Sequence, residues 1–124
     1  MRLSIIPDGP LPAYRQLYEE VFSQIASGEL ASGTALPPIR TVAKELGISV
    51  ITVRSAWEAL EADGLIVTRA GSGCFTADLD DERLNELKAN ALSAQIRSLT
   101  ESAKKLTCTE EELIEQIREA YKSN

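Results

Sequence analysis

Residues 36–76 most constrain the fold, because two short helical segments there are joined by a tight turn and followed by a glycine-tipped hairpin. Pro37 and Pro38 stand where a helix can begin, since proline at the first helical position loses only an amide that would be unpaired anyway. Gly47 is placed to end that helix, and Ser49 to cap the next one with its side-chain oxygen. The sequence therefore predicts a helix, a turn and a second helix.

The second of these helices has one apolar stripe, and Gly64 follows it at a position suited to positive φ. The residues at the i, i+3, i+4, i+7 spacing of a buried face are Val53, Ala56, Trp57 and Leu60. At 3.6 residues per turn, Ile51 lies about 170° from the centre of that stripe, on the outer face with Arg54. An isoleucine there is either a chance surface residue or a contact for a binding partner.

Two short β-prone runs, LIVTR and CFTA, come after these helices and are separated by residues 70–73. Gly71 and Gly73 also match a phosphate-binding loop, but a GxG pattern without a following helix and lysine is a weak sign of nucleotide binding. A hairpin turn is favoured. Three helices followed by a hairpin is the order of a winged helix-turn-helix, in which the third helix enters the major groove of DNA.

The segment before residue 36 predicts a first helix over about residues 12–27, whose apolar residues repeat at three and four positions. Its tyrosines, Tyr14 and Tyr18, match a platform for stacking nucleobases. Core packing is favoured for both, because the helical phase accounts for them. The β-prone residues 3–6 predict a short strand, and residues 34–36 predict another.

Composition excludes several classes of function. The chain has 124 residues, 44% of them apolar and 5% aromatic, so we expect one small domain with an appendage and no large catalytic cavity. It contains no histidine, and Cys74 and Cys108 lie in different segments without metal-ligand spacing. No apolar run approaches the roughly 18 residues of a membrane-spanning helix. We expect a reduced, cytoplasmic protein that is not an enzyme and uses no metal, cofactor or membrane.

The net charge of −6 argues only weakly against a nucleic-acid partner. Residues 1–77 carry six basic and eight acidic side chains, whereas residues 78–124 carry seven and eleven, so most of the excess acid lies in the second part. Arg40, Lys44 and Arg54 lie in early or middle turns of the helix pair, and its acidic residues lie late. A local basic face is therefore compatible with the acidic total.

Beyond Asp78 the sequence predicts two more helices. The first runs from Asp81 to about Leu106, with a heptad-like seam that consists of Leu92, Ile96, Leu99, Ala103 and Leu106. The second is predicted to open with a capping box of Thr109 and Glu112, and its apolar stripe consists of Leu113, Ile114, Ile117 and Tyr121. Helices of this size cannot bury such faces alone. We therefore predict dimerisation, through Leu92, Ile96, Leu99, Leu106, Ile117 and Tyr121.

Four motifs occur in order: I-A-S-G-E-L, L-P-x-x-R-x-x-A-x-x-L-G, T-V-R-x-A-x-x-x-L-E-A-x-G-L-I and G-x-G-x-F. In combination they resemble the N-terminal domain of the GntR family of bacterial transcription regulators, over about residues 12–77. In that family the arginine of the second helix, the polar residues that open the third helix, its T-V-R arginine and the wing glycine contact DNA. The resemblance implies the same role for Arg40, Ser49, Thr52, Arg54 and Gly71.

The chain departs from the family pattern at two places. The family usually has serine at the position of Pro38, and it often has arginine and a polar residue at the positions of Val50 and Ile51. Neither Val50 nor Ile51 can donate a hydrogen bond to a base edge, but an aliphatic side chain can contact the methyl group of thymine. We therefore predict that Val50, Ile51 and Arg54 read an operator that differs from the common family one, with a thymine opposite Ile51.

The two-helix tail resembles that of the YtrA subfamily, whose tail dimerises the protein. The sequence thus predicts a mostly α-helical protein with a small β-wing, divided into a winged helix-turn-helix DNA-binding domain (1–77) and a helical dimerisation tail (78–124). The expected function is that of a homodimeric transcription repressor on a palindromic DNA operator. The alternative is a winged-helix protein-interaction module without specific DNA binding. The sequence identifies neither the operator nor a small-molecule effector.

Overall fold

The computed structural model describes residues 1–123 and contains in that range five helices and one two-stranded antiparallel sheet. In chain order the elements are α1 (Ala13–Ala26), α2 (Ile39–Leu46), α3 (Val50–Ala62), β1 (Ile66–Arg69), β2 (Gly73–Thr76), α4 (Asp81–Lys105) and α5 (Glu110–Lys122). The predicted mostly helical fold with a small β-wing is confirmed. The chain divides into two compact units, Met1–Leu84 and Asn85–Asn124.

The core of the first unit lies where α1 and α2 pack on α3. The predicted buried stripe of α3 is confirmed, and its members are Val53, Ala56, Trp57 and Leu60. From α1, Leu17 and Val21 are fully buried, and α2 contributes Val42 and Ala43. Each of these three helices therefore buries one face, and its opposite face remains free to contact another molecule.

The two tyrosines of α1 have different environments. Tyr18 is buried, as expected, whereas Tyr14 is 45% exposed, so the expectation that Tyr14 packs in the core is wrong. The Tyr18 hydroxyl donates a hydrogen bond to the carboxylate of Asp63, which is the C-cap residue of α3. Burial, followed by this hydrogen bond and the charge of Asp63, raises the pKa of Tyr18 above its ordinary value. The pair ties α1 to the end of α3.

The turn between α2 and α3 has the predicted chemistry. At the other end of α2, Pro38 stands at the N-cap with φ of −58°, one residue before the first helical position that is predicted for proline. Gly47 ends α2 in the left-handed conformation, with φ of 68°, and the amide of Ile48 donates to the carbonyl of Ala43 at 3.0 Å. Ser49 caps α3 by accepting from the amide of Thr52 at 3.1 Å.

The β-wing is a hairpin in which Ile66 pairs with Thr76 and Arg69 pairs with Gly73. Its turn requires positive φ at Gly71 (75°) and Gly73 (108°), which glycine adopts without steric cost. The predicted strand over residues 34–36 forms only an isolated bridge between Ala35 and Phe75. This bridge joins the wing to the segment that leads into α2.

The predicted strand over residues 3–6 is wrong. The backbone there is bound by glutamine side chains of α1 and forms no sheet. Gln16 accepts from the amide of Ile6 at 2.7 Å and donates to the carbonyl of Ile6 at 3.0 Å. Gln24, which is itself buried, donates to the carbonyl of Arg2 at 2.7 Å. The first residues therefore lie along α1, held by side chains distant in sequence.

The second unit contains most of α4 and all of α5. The predicted capping box of α5 is confirmed, because Thr109 accepts from the amide of Glu112 and Glu112 accepts from the amide of Thr109. These bonds lower the pKa of Glu112. In α4 only Leu87 and Ala103 are buried, and within the described residues α5 has no buried side chain. No helix in residues 1–123 is long and apolar enough to cross a membrane.

Candidate nucleic-acid interface

The outer face of α3 presents Ile51, Arg54, Ser55 and Glu58 to solvent. Ile51 is 72% exposed and lies in the first turn of the helix. Val50 is half-buried, so less of its side chain is accessible than that of Ile51. The prediction that Ile51 points away from the core is confirmed. The face combines an aliphatic side chain with the charged fork of Arg54, which suits it to contact the methyl groups and acceptors of base pairs.

Two hydroxyls stand at the start of this face. Ser49 Oγ and Thr52 Oγ1 lie 2.7 Å apart, and Ser49 Oγ also accepts from the Thr52 amide. The two hydroxyls carry two protons between them, and their mutual hydrogen bond uses one. The second proton is available to donate to an acceptor outside the chain, and a DNA phosphate oxygen is such an acceptor. Capping the helix and contacting DNA are therefore compatible for this pair.

Basic side chains of the helix pair are exposed and free of carboxylates. Arg40 is the second residue of α2, Lys44 lies near the end of that helix, and Arg54 lies on the outer face of α3. Within residues 1–123 none of the three forms an ion pair. An unpaired surface cation can neutralise a phosphate without first breaking an internal salt bridge. The three cations are therefore exposed and unpaired, and the local basic face stays a prediction.

The wing contributes one residue that the sequence prediction missed. The guanidinium of Arg69 lies 5.0 Å from the ring centroid of Phe75, so the cation is held over an aromatic face at the end of β1. Arg69 is exposed and is separated from the exposed Gly71 by one residue. The signal that could have identified it is an arginine directly before the glycine-tipped turn.

Together the capped helix-turn-helix, the exposed face of α3 and the hairpin define a winged helix-turn-helix protein. The profile of the gntR family of bacterial regulatory proteins matches residues 13–76, which is more than half of the chain. The chain therefore belongs to the GntR family, whose members are transcription regulators, and the family resemblance predicted from its motifs is confirmed.

Three relatives illustrate how much of the chain is shared. The rhizopine catabolism regulatory protein MocR of Rhizobium meliloti is 43% identical over 72 residues, 58% of this chain and 15% of MocR. The transcriptional repressor NagR of Bacillus subtilis is 37% identical over 75 residues, 60% of this chain and 31% of NagR. The transcriptional regulator YhcF of B. subtilis is 29% identical over 107 residues, 86% of this chain and 88% of YhcF. The chain thus spans a minor part of MocR and NagR but most of YhcF.

Solved structures share the fold. A transcriptional antiterminator from Listeria monocytogenes matches with a TM-score of 0.72 and 25% identity over 98% of this chain and 90% of its own. YtrA from Sulfolobus acidocaldarius, a GntR-family transcription factor, matches with a TM-score of 0.58 and 24% sequence identity. The match covers 98% of this chain and 97% of YtrA. The DNA-binding domain of AraR in complex with operator ORX1 matches with a TM-score of 0.56 and 30% sequence identity. The match covers 62% of this chain and 99% of the AraR domain. YtrA therefore shares the winged domain with its helical tail, and AraR shares the winged domain.

Proposed function

We propose that this chain is a sequence-specific transcription repressor that binds a palindromic DNA operator as a homodimer. In winged helix-turn-helix proteins the second helix of the motif lies in the major groove, where each base pair presents a distinct pattern of donors, acceptors and methyl groups. In this chain that helix is α3. Because bacterial chromosomal DNA lies in the cytoplasm, we place the protein there.

The exposure of Ile51 beside Arg54 is the observation that carries this proposal. A largely exposed isoleucine contributes little to the stability of the free chain, whereas packing it against a thymine methyl removes apolar surface from water. Arg54 offers a fork of donors to a guanine or a phosphate. Val50, being half-buried, adds apolar surface at the edge of the same contact. The AraR complex supports this assignment, because its winged domain is solved on an operator and is 30% identical to this chain.

Contacts to the DNA backbone complete the proposed interface. Arg40 at the start of α2 and the hydroxyl pair of Ser49 and Thr52 meet phosphates, which position the helix without selecting a sequence. Gly71 lies at the tip of the wing, and apart from its two chain neighbours no heavy atom of the described residues lies within 4 Å of the position its Cβ would occupy, so the surface there is open to a DNA backbone. Arg69 supplies the positive charge on the same hairpin.

Dimerisation is proposed to occur through the tail. The large apolar side chains exposed on α4, on α5 and between them are Leu92, Ile96, Leu99, Leu106, Ile114, Ile117 and Tyr121. A second copy is an occupant that would cover them, and a dimer engages two half-sites at once, which raises the affinity beyond that of either domain alone. The assignment of DNA binding to residues 1–77 and of dimerisation to residues 78–124 is part of this proposal.

The dimer is tested by a matched pair of variants. Ile96→Glu puts a charge into the apolar surface of α4, whereas Gln95→Glu puts the same charge on the neighbouring exposed position. In sedimentation velocity we expect Gln95→Glu to behave as the wild-type dimer and Ile96→Glu to sediment as a monomer, because a carboxylate buried without a partner costs several kcal/mol. Dimers of equal stability from both variants would show that the tail surface serves another purpose.

Repression is proposed because a dimer on its operator blocks access of other proteins to that DNA. NagR, named a transcriptional repressor, is 37% identical over the winged domain, which supports the same outcome here. A reporter gene placed behind the operator tests it: expression should fall when the protein is produced and should recover with Ile51→Ala. An increase in expression would identify an activator instead.

DNA binding itself is tested by selecting fragments of genomic DNA on the purified protein and measuring their affinity by fluorescence anisotropy at several salt concentrations. A specific regulator should enrich a palindrome, and the logarithm of its association constant should fall steeply with the logarithm of the salt concentration, because phosphate contacts release counterions. A winged-helix protein-interaction module would enrich no sequence and show no steep salt dependence. That result would refute the proposed function.

A further inference from the structure

Glu58 continues the exposed face of α3 that begins at Ile51. Seven residues separate the two, so at 3.6 residues per turn their side chains leave the helix within about 20° of each other and about 10 Å apart along its axis. Arg54 and Ser55 lie between them on the same face, and all four residues are exposed. The exposed face of α3 therefore has the spacing i, i+3, i+4, i+7 and extends over two turns.

This spacing matches that of a known DNA-reading helix. In homeodomains, a three-helix variant of the helix-turn-helix motif, the residues of the third helix that read the major groove recur at i, i+3, i+4 and i+7. A helix α3 that reaches base edges with Ile51 and Arg54 therefore brings Glu58 into the same groove.

The free chain offers no reason for a carboxylate at this position. Glu58 forms no ion pair within residues 1–123, although Arg54 lies four residues earlier on the same helix. It lies in the third turn of α3, whereas the helix dipole favours acidic side chains in the first turn. Neither pairing nor helix stability therefore accounts for Glu58.

A carboxylate that faces DNA opposes binding unless a base offers it a donor. The phosphates repel it, and guanine and thymine present only hydrogen-bond acceptors on their polar groups in the major groove. Adenine presents its N6 amino group beside the acceptor N7, which an ionised carboxylate cannot satisfy because it has no proton to donate. Cytosine presents its N4 amino group as a donor alone, and it is therefore the base that matches a carboxylate.

We propose that Glu58 is a specificity-determining residue that accepts a hydrogen bond from the N4 amino group of a cytosine in each half-site. This inference rests on the operator binding proposed above and deepens it. On non-operator DNA the same carboxylate meets acceptors and phosphates, which weakens binding there. Glu58 thus raises specificity both by an attraction to the correct base and by a repulsion from the others.

Selection from random-sequence DNA tests this role, with Glu61→Ala as the matched control for Glu58→Ala. Glu61 is a second exposed carboxylate of α3, and it leaves the helix about 60° away from Glu58. Both substitutions remove one negative charge from the same helix and introduce the same good helix former. We expect the full-length wild type and Glu61→Ala to enrich one palindrome, and Glu58→Ala to lose the requirement for cytosine at one symmetric pair of positions.

Affinities measured by fluorescence anisotropy extend the test. The ratio of operator affinity to the affinity for a non-operator duplex of equal length should be about 10-fold lower for Glu58→Ala than for Glu61→Ala, because the loss of one base contact changes affinity by a factor of this order. In the operator, N4-methylcytosine keeps the hydrogen that pairs with guanine and replaces the one that points into the major groove. At the predicted positions it should weaken binding of the wild type and leave binding of Glu58→Ala unchanged.

Two results would overturn the role of Glu58 and leave the proposed function intact. One is enrichment of the same palindrome, with the same cytosines, by all three proteins. The other is an equal ratio of operator to non-operator affinity for Glu58→Ala and Glu61→Ala. A wild type that enriches no palindrome would instead refute the proposed function, and the role of Glu58 with it.

Discussion

Replacing Ile51 with alanine is the sharpest test of how this chain reads DNA. The side chain is 72% exposed, so its truncation removes little buried surface, and alanine has the higher helix propensity. The melting temperature should therefore stay at or slightly above that of the wild type. Any loss of operator affinity then reports on the complex alone.

The size of the loss follows from surface area. A methyl group of thymine packed on the exposed part of Ile51 buries roughly 40 Å² of apolar surface, worth about 1 kcal/mol at about 25 cal/mol per Å². A dimer makes the contact at both half-sites, so the dissociation constant should rise by about 30-fold. Ile51→Val, which keeps the branch at Cβ and loses one methyl group, should fall between the wild type and Ile51→Ala.

A double-mutant cycle with the operator isolates the contact. Replacing thymine by uracil removes only the methyl group, so at the symmetric pair of positions opposite Ile51 it should weaken the wild type as much as Ile51→Ala does. The variant should not distinguish the two operators, which makes the effects non-additive. Equal sensitivity of wild type and variant to uracil at every position of the operator would show that Ile51 does not read a base, and its exposure would then require a protein partner.

Three further variants test other parts of the molecule. Arg40→Ala should weaken binding to specific and non-specific DNA alike and reduce the slope of log affinity against log salt concentration by about 1 per lost phosphate contact. The control Arg118→Ala on α5 should do neither. A loss of affinity confined to the operator would show that Arg40 reads a base. Gly71→Asn keeps a residue that tolerates positive φ, so it should lower DNA affinity while changing the melting temperature little. Gly28→Asn, at a glycine with φ of 86°, is the control and should leave DNA affinity unchanged. If Gly71→Asn lowers affinity only as far as it lowers stability, Gly71 serves the turn alone. Tyr18→Phe should lower the free energy of unfolding by about 1 kcal/mol. Because folding raises the pKa of Tyr18, the stabilisation by its hydroxyl is complete below pH 10 and declines above it. A free energy of unfolding of the wild type that does not decline above pH 10 in denaturant titrations would refute the role of the Tyr18 hydrogen bond to Asp63.

Local chemistry made much of the fold predictable. The cap at Ser49, the left-handed Gly47 and the buried stripe of α3 depend on neighbours within a few residues, and all three are confirmed. The side chains of Gln16 and Gln24 bind backbone groups that a β-prone segment would otherwise offer to another strand. The sequence of that segment gives no sign of these partners. These long-range partners explain why the predicted N-terminal strand is wrong.

The candidate interface was predictable where it depends on local helix geometry and was not predictable where it depends on contacts between strands. The outward orientation of Ile51 follows from helical phase alone and is confirmed. Arg69 was missed because its contact with Phe75 depends on the pairing of two strands, which periodicity does not reveal. The roles of these residues in binding DNA stay proposals, since a phosphate or base contact depends on the geometry of a second molecule.

The first turn of α3 has a consequence for how tolerant the protein is of imperfect operators. Val50, Ile51 and Thr52 are consecutive β-branched residues, and in a helix such side chains are largely confined to one or two χ1 rotamers. Thr52 is further immobilised by its hydroxyl bond to Ser49. Little rotamer entropy remains to be lost on binding, which favours affinity for the matching sequence. At the proposed interface the same stiffness would prevent these side chains from rearranging around a mismatched base pair, and discrimination would then arise from an inability to adapt.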